Sequence, residues 1–254
     1  MKGAGSIEYA HARLWARNGE RPDETDWRRL EVAREFSALL DAARALPAIG
    51  NWIAGIAPEG NAHEVEAKLR DRWRALVVEV AGWMPDEWQL AVTWCAVLVD
   101  VPVIQYLAHG GPPLSWMLRD PVYRDMKCGD PGVAPELGLL APLALEWRRP
   151  EAMAAAWHEE WVRRAPHDAF ADEAPRRDLQ RAFAAHFRRF DEATIRDGWP
   201  LRRALQSRLL VLFRRAVLEP AAAFIFLALC ALDFERLRGE LLRRAAFPRL
   251  RLAS

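Results

Sequence analysis

Residue types that do chemistry are few in this chain, and they are scattered. His63-Glu64 begins like the zinc motif HExxH, but position 67 is alanine. The motif needs two histidines one helical turn apart to grip the metal. Asn61 followed by Glu64 reads instead as a capping box, which uses both polar side chains to open a helix. His158, Glu159 and Glu160 are consecutive. On a helix they diverge by about 100° per residue and do not converge on one ion, so they read as a solvated face. His11, His109, His167 and His186 stand without partners at motif spacing. No GxGxxG, Walker or GxSxG pattern is present. The expectation is no catalytic residue, no metal and no cofactor.

Cys95, Cys128 and Cys230 are too far apart for CxxC or a zinc pattern, and read as buried free thiols of a reducing compartment. The first fifteen residues lack an apolar stretch and a cleavage site, so no secretory signal is expected. The longest apolar run, Ala221 to Leu232, has 12 residues. That is short of the roughly 20 needed to cross a bilayer, so it predicts a buried core helix in a cytoplasmic protein.

The elements that would position these residues are helical almost throughout. Apolar residues recur at helical spacing from Trp27 to Leu46, from Val65 to Trp83 and from Trp88 to Val99. Later stripes each follow a proline: Met153, Trp157 and Trp161 after Pro150; Leu179, Phe183, Phe187 and Phe190 after Pro175; Leu205 to Val217 after Pro200; and a last helix after Pro220 to about Arg244. Proline fits the first helical turn because that amide has no intrahelical partner. Most of the 12 tryptophans lie on these stripes and read as packing anchors. The fold class predicted is all-α: a multi-helix bundle of two or three similar helical lobes. Eleven glycines and prolines between Gly110 and Pro142 mark a boundary. The division expected is an N-terminal lobe over 1–128, a connection over 129–149 and a C-terminal lobe over 150–254.

Charge is unevenly spread. The chain carries +1 in total, yet residues 1–171 hold 19 basic and 25 acidic side chains, and residues 172–254 hold 17 and 10. Positive charge comes almost entirely from arginine, which reads as compositional bias. Arg188-Arg189, Arg202-Arg203 and Arg214-Arg215 lie where acids are thin, and they are the candidate partner-binding residues. The asymmetry falls short of the basic stripe of a nucleic-acid binder, so no nucleic acid is expected.

The segment Glu219-Pro220-Ala221-Ala222-Ala223-Phe224-Ile225-Phe226-Leu227-Ala228, then Asp233-Phe234-Glu235-Arg236-Leu237-Arg238, resembles the C-terminal signature of the AC39 family, the C/d-type subunits of V/A-type ATPases. Pro220, Phe226, Asp233, Leu237 and Arg238 carry the match. Tyr9 and Arg13, in Tyr9-Ala10-His11-Ala12-Arg13, resemble the family's opening Tyr–x–x–Ala–Arg. The sequence departs at Cys230-Ala231, where the family usually has Lys–Glu, and at Arg236, where it has Asn. The family chain is also longer, with three similar lobes.

The resemblance implies a non-catalytic role. The protein would couple the central axle of a rotary ATPase to the membrane rotor ring, peripheral to the membrane at its cytoplasmic face. The alternative is a stand-alone helical adaptor or ligand-binding domain, with a Trp-lined pocket and no ATPase partners.

Overall fold

The computed structural model describes residues 6–124, 138–166, 174–192, 194 and 197–246. The described residues are all-α, 77% of them helical, with no strand among them. Among the described residues there are twelve α-helices and a few short 3-10 turns: α1 (Ile7–Gly19), α2 (Glu24–Val32), α3 (Phe36–Arg44), α4 (Pro47–Ile53), α5 (Ala62–Ala81), α6 (Asp86–Trp94), α7 (Val101–Ala108), α8 (Ala141–Ala144), α9 (Met153–Arg164), α10 (Ala174–Asp191), α11 (Gly198–Arg215) and α12 (Ala221–Ala246).

Local chemistry sets most of the helix starts. Asp23 and Asp26 form a reciprocal capping box at α2. The box expected from Asn61 and Glu64 forms at α5: the Asn61 side chain accepts from the Glu64 amide at 3.0 Å, and the Asn61 amide donates back to Glu64 at 3.3 Å. Pro47 and Pro102 sit in the first turns of α4 and α7. Pro220 directly precedes α12.

Two predicted helices are broken, and the breaks have identifiable partners. The stripe from Trp27 to Leu46 is not one helix, because the chain turns extended at Ala33 and restarts at Phe36. The carbonyls stranded at the end of α2 are taken by Arg244 of α12, which donates to Ala33 O at 2.7 Å and to Glu31 O at 3.2 Å. The stripe from Trp88 to Val99 narrows to a 3-10 turn at Cys95–Val99. Side chains of α5 collect the displaced carbonyls: Trp73 Nε1 donates to Cys95 O at 3.0 Å, and Arg70 to Val99 O at 2.6 Å. Propensity favours continuous helices at both places, and tertiary hydrogen bonds decide otherwise.

The chain forms two compact units, each assembled from three separate stretches. The first comprises residues 1–21, 77–93 and 165–236, and the second 22–76, 94–164 and 237–254. This differs from a division at 129–149. Residues 125–137 lie outside the described chain; Gly138–Leu140 and Ala141–Ala144 are short helical turns inside the second unit.

In the first unit, Ala221 to Leu227 of α12 are all buried, and so are Leu205, Leu209, Leu212 and Phe213 of α11. Trp88 meets Phe224 edge-on at 6.1 Å, and Trp15 packs on Phe213 at 5.4 Å. In the second unit the core holds Trp27, Leu30, Leu39, Leu40, Val65, Leu69 and Trp73. Here Trp52 stacks on Trp73 at 6.4 Å. Trp27, Trp73 and Trp88 are buried and serve as packing anchors, as their spacing suggests; Trp15 is 40% exposed.

Candidate functional site

The densest polar constellation lies in the second unit, and it starts from a stripe on α5. Glu66, Arg70 and Arg74 recur every four residues, so they lie on one helix face. Both arginines point at buried acids. Arg70 donates to Glu66 at 3.0 Å and to Asp100 at 3.3 Å. Arg74 reaches Asp100 at 2.8 Å and Asp120 at 2.9 Å. The Tyr123 hydroxyl donates to Asp100 at 2.8 Å. Arg238 of α12 donates to the second oxygen of Glu66 at 2.7 Å. The Arg70 guanidinium also lies 4.5 Å from the centre of the Trp116 ring, an aromatic–cation contact.

Three guanidinium groups thus face three buried carboxylates, and the more exposed Asp71 lies 3.9 Å from Arg74. Burial pushes the Asp100 carboxyl upward, while Arg74, Arg70 and the Tyr123 hydroxyl pull it down. Burial and the adjacent Asp100 push the Tyr123 phenol well above its ordinary range, so it stays a donor. Charges withdrawn from water this way are tolerated only when paired and hydrogen-bonded. The cluster ties α5 to residues 99–100, 116–123 and α12. Reading arginine as compositional bias hides this cluster in the sequence. The usable signal is the Glu66–Arg70–Arg74 spacing.

The positions resembling the AC39 signature fall into different settings. Asp233 is buried in the first unit, where Arg21 donates to it at 2.7 Å. Arg21 follows α1, the helix that carries Tyr9 and Arg13. Both of those residues are exposed, and the Arg13 guanidinium lies 5.1 Å from the Trp83 ring centre. Phe226 and Leu237 are core residues, Pro220 is half-buried, and Arg238 belongs to the ionic cluster.

The candidate partner-binding arginines lie on α10 and α11. Arg188, Arg189, Arg203, Arg214 and Arg215 are exposed; Arg202 is half-buried, with its guanidinium 5.2 Å from the Trp199 ring centre. The arginine pairs are therefore not equivalent, since neighbouring residues on a helix face different ways. Burial, and then Arg202, lower the His186 imidazole below its ordinary value.

Of the remaining candidates, His11 accepts from Trp15 Nε1 at 2.7 Å. His158 and Glu159 are exposed, but Glu160 is buried, which corrects the reading of that triplet as a uniformly solvated face. Arg163 and Arg164 both bind Glu160 at 2.6 Å and hold its carboxyl below the ordinary range. Cys95 and Cys230 are buried free thiols, and burial pushes the Cys95 thiol up to about 12. Cys128 and His167 lie outside the described residues.

Among the described residues no group of three or more His, Cys, Asp or Glu is placed to hold a metal ion. No single described helix is long and apolar enough to cross a membrane; Asp86–Val99 with Val101–Ala108 reaches that length and composition only as a pair bent by 50°. The chain matches no family model, and no curated protein or solved structure gives a significant match.

Proposed function

We propose that this chain is a non-catalytic coupling subunit of a rotary V/A-type ATPase, working between the central axle and the membrane rotor ring at the cytoplasmic face of the membrane. One observation supports the reading beyond the sequence resemblance. Asp233, in the C-terminal segment that carries it, pairs in one unit with Arg21, 212 residues away and just past the helix that bears the N-terminal motif. Asp233 is the acid of the C-terminal signature, and Arg21 follows the helix that carries Tyr9 and Arg13. The signature acid is thereby held against the chain that follows the helix bearing the other motif, which fits a shared structural role for the two segments. The role needs rigid helical packing and partner surfaces, and no bound cofactor.

The test is affinity purification of the tagged full-length chain from its native host in mild detergent, with mass spectrometry of the retained proteins. Enrichment of axle and rotor-ring subunits supports the proposal. Recovery without any rotary-ATPase component overturns it in favour of a stand-alone helical adaptor.

A further inference from the structure

Helix α11 buries one side and leaves the other to solvent. Leu205, Leu209, Leu212 and Phe213 face the core of the first unit. Pro200, Arg203, Ala204, Ser207, Arg208, Val211, Arg214 and Arg215 are exposed. At about 100° per residue these resolve into rows. Arg203 and Arg214 align along one edge, and Arg208 and Arg215 along the other. Between the edges run Pro200, Ser207 and Val211, with Ala204 beside Arg215. Arg208, which is not part of an arginine pair, belongs to this face; Arg202, which is, turns toward Trp199.

The face carries uncompensated charge. Helix α11 has five arginines and no acid between Gly198 and Arg215. Among the described residues, Arg203, Arg208, Arg214 and Arg215 have no ion-pair partner. The nearest preceding acid, Asp197, is occupied by the Thr194 amide and hydroxyl, at 3.0 and 2.7 Å. Like charges spaced this way repel one another in the free protein, and a carboxylate-bearing partner relieves the repulsion.

We propose that the outer face of α11 docks an acidic amphipathic helix of a partner protein. Its apolar ridge would seat along Pro200, Ser207 and Val211, and its flanking carboxylates would reach the two arginine rows. Small side chains in the strip allow helix axes to approach to about 8–10 Å. Arginine forks then bind carboxylates on either side in bidentate fashion. A lipid surface calls for bulky apolar side chains on the docking face, and this strip offers only Val211. Sequence-specific recognition of a nucleic-acid duplex calls for polar base-reading groups among the cations, and this strip has proline, alanine and valine with one serine; phosphate contacts alone would leave the apolar strip between the arginine rows without a role. The proposal goes beyond the coupling role and does not depend on it.

The test uses the purified full-length chain and a fluorescent synthetic helical peptide with a Leu/Ala ridge flanked on both sides by Glu. A matched peptide carries Gln in place of Glu. Anisotropy titration is expected to show the Glu peptide binding, weakening as salt rises, with the Gln peptide about tenfold weaker or worse. The double variant Arg203→Glu, Arg214→Glu should weaken the Glu peptide by about tenfold or more, as reversed charges do at an interface. Arg202→Glu should change it little, and circular dichroism should remain that of the parent. Equal binding of the two peptides, no binding of either, or no effect of the double reversal would overturn the proposal. So would binding of phosphatidylglycerol vesicles or duplex DNA in preference to the Glu peptide, since the face would then serve a lipid or a nucleic acid.

Discussion

At the scale of single residues, the charges buried in the second unit govern the response to mutation. Asp100 accepts from Arg70, Arg74 and Tyr123 in a position only 2% exposed. Asp100→Ala removes the shared acceptor and leaves positive charge and a hydroxyl facing a cavity. Breaking one side of a buried pair costs about 3–5 kcal/mol, so the denaturation midpoint should fall sharply. Asp100→Asn keeps the volume and an acceptor and should cost less. Near-equal stability of the alanine variant would mean that the cluster is already hydrated. Glu160 gives a pH signature. Its folded carboxyl lies below the ordinary 4.5 because Arg163 and Arg164 bind the charged form. A lowered folded value contributes stability above the unfolded value, and that contribution is lost as pH falls through the folded one. Glu160→Gln should therefore cost about 1–2 kcal/mol at neutral pH. The gap from the parent should close below about pH 4.5. A gap that stays constant from neutral to strongly acidic pH would show that packing rather than charge is lost.

At the scale of elements, helix identity is legible in the sequence and helix limits are not. Period and proline placement locate α5, α9, α11 and α12, because each buries an apolar stripe. Helix α10 forms where Pro175 predicts it, but of its stripe Leu179 is buried, Phe183 half-buried and Phe187 60% exposed, which corrects the expectation of a buried face there. The break between α2 and α3 is hidden, since nothing in Ala33-Arg34-Glu35 forbids a helix. Its partner is Arg244, 211 residues away. The ionic cluster is hidden for the same reason: Asp100, Asp120 and Glu66 become partners only through tertiary packing. Helix α12 is the opposite case. Its run from Ala221 to Leu232 announces burial, and Leu227 is 2% exposed. Leu227→Asp would place an unpaired carboxylate there, at a cost of several kcal/mol. A domain with about 5–15 kcal/mol of stability has little margin for that, so soluble expression should fail. A soluble Leu227→Asp protein with parental helicity would mean that α12 is peripheral to its core.

At the scale of the whole molecule, the order of segments decides what can fold alone. Composition suggests lobes that follow one another along the chain. The compact units instead interleave, each drawing on early, middle and late stretches. A fragment covering 150–254 holds α10, α11 and α12 but lacks α1 and residues 77–93 of the first unit. It would leave Asp233 without Arg21, Phe224 without Trp88, and Phe213 without Trp15. A fragment covering 1–149 would leave Glu66 without Arg238 and the end of α2 without Arg244. Helices deprived of their apolar partners are marginal in water, because most helical stability in proteins comes from packing. Each fragment expressed separately should thus show low helicity and no cooperative thermal transition. Co-expressed, the two should recover helicity, since all of the partner side chains are then present. A 150–254 fragment that melts cooperatively by itself would show that its helices need nothing from the first 149 residues, and the interleaved organisation would fail with it.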